Sequence, residues 1–261
     1  MSLAASDVVD TYMLRFSNMA DFVIAMGPQK IGVWAAPGTS METLRHLLLD
    51  QVLPRVLAQQ GRVVLHAGSV KIGDEVIAFV GETGSGKSTL TASFHAANYP
   101  LLSDDCLLLT PSEDSTLCLP TYPCIRLWPE AIDNLYAQAP QISPMAHYSN
   151  KQRLISDTDA EYNSLQSCLT AIYLLASEPS IDNNNIIHNR LSSSEACIEI
   201  IRNSFHLDPT NRLLGSAAFE KAINIVETVP FFTLYYKRKY ALIGDLISYI
   251  LENQKLINRS I

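Results

Sequence analysis

Residues 75–94 read EVIAFVGETGSGKSTLTASF, and the loop inside them, Gly81 to Thr89, decides how the rest of the chain is read. Val76 to Val80 is an apolar run of strand character, and Ser88 to Ala97 is compatible with a helix. A GxxxxGK[ST] loop between a strand and a helix is the context in which this motif holds nucleotide phosphates.

Each position has its own electrostatic task. Gly81, Gly84 and Gly86 let successive backbone N–H groups point inward at a phosphate without Cβ clashes. Lys87 brings a mobile positive charge for the β- and γ-phosphates, and Ser88 a hydroxyl for a magnesium ion. The following helix aims its positive end at the anion. Gly81, Glu82, Thr83, Gly84, Ser85, Gly86, Lys87, Ser88 and Thr89 are therefore the expected nucleotide-binding residues, with ATP and Mg2+ as the expected cofactors.

Working outward, Leu101-Leu102-Ser103 is a short strand that ends at Asp104-Asp105, and Cys106 to Thr110 is another. A carboxylate at that strand end can bind magnesium or take the proton of an acceptor hydroxyl. Read by itself, an Asp-Asp pair is also an ordinary turn or helix cap. Upstream, Val63 to Ala67 and Val76 to Val80 are two β-rich runs separated by the turn signal Gly73-Asp74, a hairpin leading into the loop. His66 lies within the first run, where a hydrogen-bonded core histidine is the bland alternative.

The first 60 residues form a separate expectation. Phe22 to Met26 and Ile31 to Trp34 are strands broken by Gly27-Pro28, and a helical stretch with Leu44, Leu47, Leu48, Val52, Leu53, Val56 and Leu57 follows, interrupted near Pro54. The expected division is a β-rich lobe with a helix at 1–60 and a catalytic α/β domain at 61–261. Further on, helices are expected at Pro129 to Gln138, Ser193 to Asn203, Ala217 to Thr228 and Leu242 to Asn253, and strands at Leu169 to Leu175 and Phe231 to Tyr236. Ala139 to Asp159 is expected as a mobile loop and Ser177 to Asn185 as a surface turn. Lys151 with Arg153 reads as a solvated surface pair, with a clamp for phosphate or an acidic substrate segment as the alternative, and Lys237 to Lys239 as a solvated turn.

With 261 residues and a formal charge of −7, the chain has no basic patch for nucleic acid or an anionic membrane. The expected partners are small molecules or proteins, with neither nucleic acid nor membrane among them. The five cysteines are scattered without metal-site spacing and read as buried, reduced thiols. No leader pattern or membrane-spanning run is present in the sequence, and the expected location is cytoplasmic.

The order of His66, the Gly81 to Ser88 loop and Asp104-Asp105 resembles the catalytic domain of HPr kinase/phosphorylase. The stretches LHAGSV, PLLSDD, YPCIRLWPEAI, AIYLL and VPFFTLYY, spanning Arg62 to Tyr236, are more similar still to HPr-kinase-like proteins beside peptide-tailoring enzymes, including lasso-peptide kinases. The resemblance implies a phosphate-loop fold with a mixed sheet flanked by helices, akin to phosphoenolpyruvate carboxykinase, and phosphoryl transfer to a serine hydroxyl.

It also implies roles. His66 matches the active-site histidine, Lys87 the loop lysine, Ser88 the magnesium-binding hydroxyl and Asp105 the proton acceptor. Asp104 would support the metal or orient the histidine, Glu130 would be a second carboxylate near magnesium, and Arg126 a phosphate contact. A salt bridge between Arg126 and Glu130 closing a helix start is the alternative for that pair. The glycine-rich signature region of true HPr kinases has no counterpart here, so recognition of HPr and the reverse reaction are not implied. A homo-oligomer is a further expectation of the resemblance.

Three function classes stay open on the sequence. They are a kinase for a serine in a peptide or protein, such as a precursor peptide of a tailored product; a kinase for a small alcohol or sugar; and a nucleotide-gated regulator.

Overall fold

The computed structural model describes residues 1–6, 11–27, 29–122, 124–138, 141–155, 166–176 and 185–258. Its centre is β7 (Glu75–Val80), whose run EVIAFV is apolar on both faces because both are covered. Strand periodicity sends Val76, Ala78 and Val80 to one side and Ile77 and Phe79 to the other. On the first side they meet α5 (Ser193–Arg202) and α6 (Arg212–Thr228) through Ala196, Ile200, Ala222 and Ile225. On the second they meet α3 (Lys87–Ala96) and α7 (Ile243–Asn258) through Leu90, Phe94, Leu246 and Ile250.

The sheet around β7 is mixed. β7 pairs antiparallel with β6 (Gly68–Ile72) and parallel with β14 (Ser167–Ala176), and β14 runs parallel to β16 (Phe231–Tyr235). β14 forks along one edge: Ser167 and Cys168 pair with β10 (Thr116–Leu119), whereas Ile172 to Ala176 pair with β16. β5 (Val63–Leu65), β9 (Leu107–Pro111), β8 (Leu101–Ser103) and β15 (Ile187–Arg190) complete the sheet. The hairpin that enters the loop is thus β6 with β7. β5 pairs instead with β9, and His66 lies just past the end of β5, not inside a strand.

A second sheet holds β1 (Ser2–Ser6), β2 (Thr11–Phe16), β3 (Ala20–Ala25) and β4 (Lys30–Ala35), all antiparallel. Its buried face, with Tyr12, Leu14, Phe22 and Ile24, packs on Leu47 and Val52 of the following helical segment. That segment is α1 (Met41–Leu47), a π-helical turn over Leu48–Val52, and α2 (Leu53–Gln59) with Pro54 in its first turn. The wide turn falls just before Pro54, whose ring displaces the regular i→i−4 hydrogen bond.

The third sheet has the order β11 (Cys124–Leu127), β13 (Ser149–Ile155), β12 (Ile142–Ala146), with α4 (Pro129–Leu135) beside it. Most of the stretch read from the sequence as a mobile loop is therefore a β-hairpin; residues 139–140 and 156–159 of it lie outside the described residues. Residues 177–184 of the expected surface turn lie outside them too. Cys106, Cys118, Cys124 and Cys197 are buried and Cys168 is half-buried, all as free thiols. No helix among the described residues is long and apolar enough to cross a membrane.

Candidate active site

β7 ends at Val80, and the chain turns through residues 81–86 before α3 begins at Lys87. Gly81, Gly84 and Gly86 all have positive φ. At Gly86, φ +98° favours glycine, and a Cβ would also stand 3.1 Å from the hydroxyl of Tyr236, close enough to crowd it. Gly86 is the N-cap of α3 and offers no side chain to its first N–H groups, which leaves that end of the helix open to an anion.

Lys87 is 5% exposed, and its Nζ donates to the carbonyls of Gly81 (2.7 Å) and Glu82 (3.1 Å). Burial pushes its pKa down to about 8; Asp104 opposes this, while Lys151 and Arg126 add to it. A buried ammonium destabilised in this way is primed to gain from a polyphosphate. The hydroxyl of Ser85 is buried without a hydrogen-bond partner. Thr83 and Glu82 are exposed, and Ser88 and Thr89 are partly buried at the start of α3.

The loop is held from elsewhere in the chain. The N–H of Gly81 donates to Asn203 Oδ1 at 3.2 Å, and Arg238 Nη1 donates to the carbonyl of Gly84 at 3.0 Å. Arg238 is exposed in the segment after β16, as expected, and its guanidinium nonetheless reaches the loop. A cavity of about 880 Å³ beside the loop is lined by His66, residues 81–85, residues 174–176, Glu199, Arg202, Asn203 and Arg238.

Asp104 and Asp105 follow β8 in a bend whose closure uses the hydroxyl of Ser103 on the carbonyl of Cys106 at 2.5 Å. Asp104 is buried; its Oδ2 accepts from the N–H of Arg126 at 3.1 Å, and its Oδ1 has no hydrogen-bond partner. Asp105 takes φ +68°, a left-handed conformation that Asp tolerates better than most residues. Its Oδ1 lies 3.0 Å from His66 Nε2 and its Oδ2 forms an ion pair with Arg126. Burial, with Lys87 and Arg126 adding, pushes His66 down to about 4, so at neutral pH the ring is uncharged and donates from Nε2 to the carboxylate.

Arg126, expected at a phosphate or at Glu130, is 4% exposed and faces carboxylates: Asp105, Asp50 at 2.9 Å and Asp104 at 4.0 Å. Glu130 opens α4, is exposed, and lines a cleft with Gly86, Thr89, Tyr236 and Tyr240; Asp104 is not part of that cleft's lining. Arg153 is 4% exposed on β13, directly across from Arg126 on β11, with its guanidinium 5.8 Å from the ring of Tyr122. Lys151 stands over Trp128 at 5.6 Å; burial and Arg126 push its pKa down, with Asp104 opposing. Both were expected as solvated charges, and the hairpin turns them inward instead.

Asp50 and His46 are the residues of this cluster that the sequence reading did not single out. With Thr43 they form a polar stripe at helical spacing, but spacing alone does not say what the stripe faces.

No family model matches the chain, and no curated protein does. Among solved structures the chain is similar to the HPr(Ser) kinase/phosphatase from Coxiella burnetii, with 12% identity over 74% of this chain and 96% of that chain and a TM-score of 0.40.

Proposed function

We propose that this chain is an ATP-dependent kinase that transfers the γ-phosphoryl group of ATP to a hydroxyl, with a serine of a peptide or protein as the acceptor. One observation carries the reading: a lysine destabilised by burial, in a glycine loop at an open helix end, shares its surroundings with an Asp–His pair. The first feature suits a triphosphate and the second an acceptor hydroxyl. The similarity of LHAGSV, PLLSDD and YPCIRLWPEAI to peptide-tailoring kinases supports a peptide acceptor.

In this reading Gly81 to Thr89 hold the phosphates, and Lys87 follows charge onto the transferring group. Among the described residues no three His, Cys, Asp or Glu side chains group as a metal cage, but magnesium is commonly held by one or two carboxylates plus substrate phosphates. The buried, unpartnered Oδ1 of Asp104 and the hydroxyl of Ser88 fit that donor set. Magnesium bound there would neutralise phosphate charge.

Asp105 takes the acceptor proton as the new O–P bond forms and the bond to the β-phosphate oxygen breaks. His66 and Arg126 keep its carboxylate aimed. Glu130, in the cleft with Gly86 and Thr89, is the candidate second carboxylate. Incubation with γ-labelled ATP, magnesium and candidate peptides, read by mass spectrometry, tests the proposal: a phosphate on one acceptor, absent with Lys87→Ala, is expected. Binding of ATP with no transfer to any hydroxyl would favour the regulatory reading.

A further inference from the structure

We infer that Asp50, on the π-helical turn of the N-terminal segment, is a positioning residue of the transfer site: it fixes Arg126 and, through Arg126, the carboxylate of Asp105. The inference rests on the kinase reading above, and it makes the first 60 residues part of the site.

The geometry is a continuous chain of contacts. Asp50 Oδ2 accepts from His46 Nδ1 at 2.6 Å and pairs with Arg126 at 2.9 Å, and Asp50 Oδ1 accepts from the hydroxyl of Tyr122. The same guanidinium pairs with Asp105 Oδ2, and Asp105 Oδ1 meets His66. Asp50's side chain is fully buried, where a carboxylate persists only when paired and hydrogen-bonded. Burial alone would push its pKa up; the His46 hydrogen bond, the charge of Arg126 and the Tyr122 hydroxyl outweigh it and hold the pKa below the ordinary value.

Packing does not account for an acid at this place. The neighbours Leu47 and Val52 bury apolar surface against the N-terminal sheet, whereas the side chain at 50 meets His46, Tyr122 and Arg126, where its carboxylate has three polar partners. The π-helical turn that precedes Pro54 carries Asp50, whose carboxylate reaches Arg126. A guanidinium presents its donors in a rigid fork. Holding one side on Asp50 therefore sets the other side, and the Asp105 oxygen it binds, in a fixed direction.

The test uses the full chain with Asp50→Asn, Asp50→Glu and Tyr122→Phe. Three quantities are measured: affinity for a fluorescent ADP analogue with magnesium, the single-turnover rate of transfer from γ-labelled ATP, and the NMR signals of the Arg126 guanidinium. Asp50→Asn is expected to bind the analogue within about twofold of wild type and to lose about tenfold or more in rate, since misplacement of a reacting group lowers the rate without weakening binding. Asp50→Glu is expected to recover part of that loss, and Tyr122→Phe to lose about threefold.

A folded Asp50→Asn protein with a rate within about twofold of wild type overturns the proposal, as does a parallel loss of affinity and rate. If Asp50→Asn does not fold, Tyr122→Phe decides, and an unchanged rate there overturns it. If the wild-type chain binds nucleotide but transfers nothing, the kinase reading falls by itself. The guanidinium signals then judge the Asp50 contact: their loss in Asp50→Asn upholds it, and their persistence overturns it.

Discussion

Asn203 and Gly81, 122 residues apart, are joined by a hydrogen bond from the backbone N–H of Gly81 to Asn203 Oδ1. The same asparagine donates from Nδ2 to the carbonyl of Glu199 at 2.8 Å, and its own carbonyl accepts from the N–H of His66 at 2.7 Å. One residue at the end of α5 thereby holds the first residue of the loop with its side chain and His66 with its backbone carbonyl. Asn203→Ala should cost about 1–3 kcal/mol, because a partly buried N–H loses its partner. Thermal melting and nucleotide affinity check this, and both should fall together.

Asp105→Asn should abolish transfer while sparing the fold. Asparagine tolerates the left-handed conformation that Asp105 adopts, and it keeps an acceptor for His66. Loss of a positioned base is worth about 10²–10⁴-fold in rate, so single-turnover transfer should drop by at least about 100-fold. Nucleotide affinity should stay within about twofold; near wild-type turnover would remove Asp105 from the role of base.

The pH dependence of stability has a definite sign. Lys87 falls from its ordinary value to about 8 in the folded chain, and His66 to about 4. In both cases the unfolded chain holds more protons inside the window, so stability falls as pH falls. The Lys87 window runs from its ordinary value down through about 8, and the His66 window from its ordinary value down through about 4. Lys87→Met should flatten the alkaline window in melting curves taken without ligand. It should also leave the melting temperature at neutral pH no lower than wild type, while abolishing the rise that MgADP produces. A wild-type slope retained in Lys87→Met would contradict the assignment.

Gly86→Ala tests the loop backbone. A Cβ at φ +98° costs roughly 1–2 kcal/mol for a non-glycine residue, and the contact with the Tyr236 hydroxyl adds crowding. Adding Tyr236→Phe should relieve the crowding but not the backbone strain. The double variant should therefore recover only part of the lost melting temperature and little of the nucleotide affinity.

What the sequence showed and what it hid divide along physical lines. Val76 to Val80, the loop glycines and the Leu101 to Ser103 strand were legible because apolar runs and glycine punctuation are local signals. The expected helices near 193 and 243 lay within a residue or so of α5 and α7 at their starts, where Ser192 forms a capping box for α5. The β12–β13 hairpin was hidden because Ser149-Asn150-Lys151-Gln152-Arg153 is polar, and its burial comes from packing on β11 and α4. Arg153 and Asp50 were hidden for the same reason: each is charged, and only tertiary contacts tell an inward charge from a solvated one.

Synthesis runs in one direction, and this gives the order of strands a consequence of its own. Glycines 81, 84 and 86 are translated long before Asn203, Tyr236 and Arg238, yet those later residues close on them. On the ribosome β7 has β6 at one edge, while its other edge waits for β14. An apolar strand with an open edge is a site of mispairing. That edge of β7 thus stays open until β14 is made, and the contacts that close on the loop are complete only once Tyr236 and Arg238 have followed.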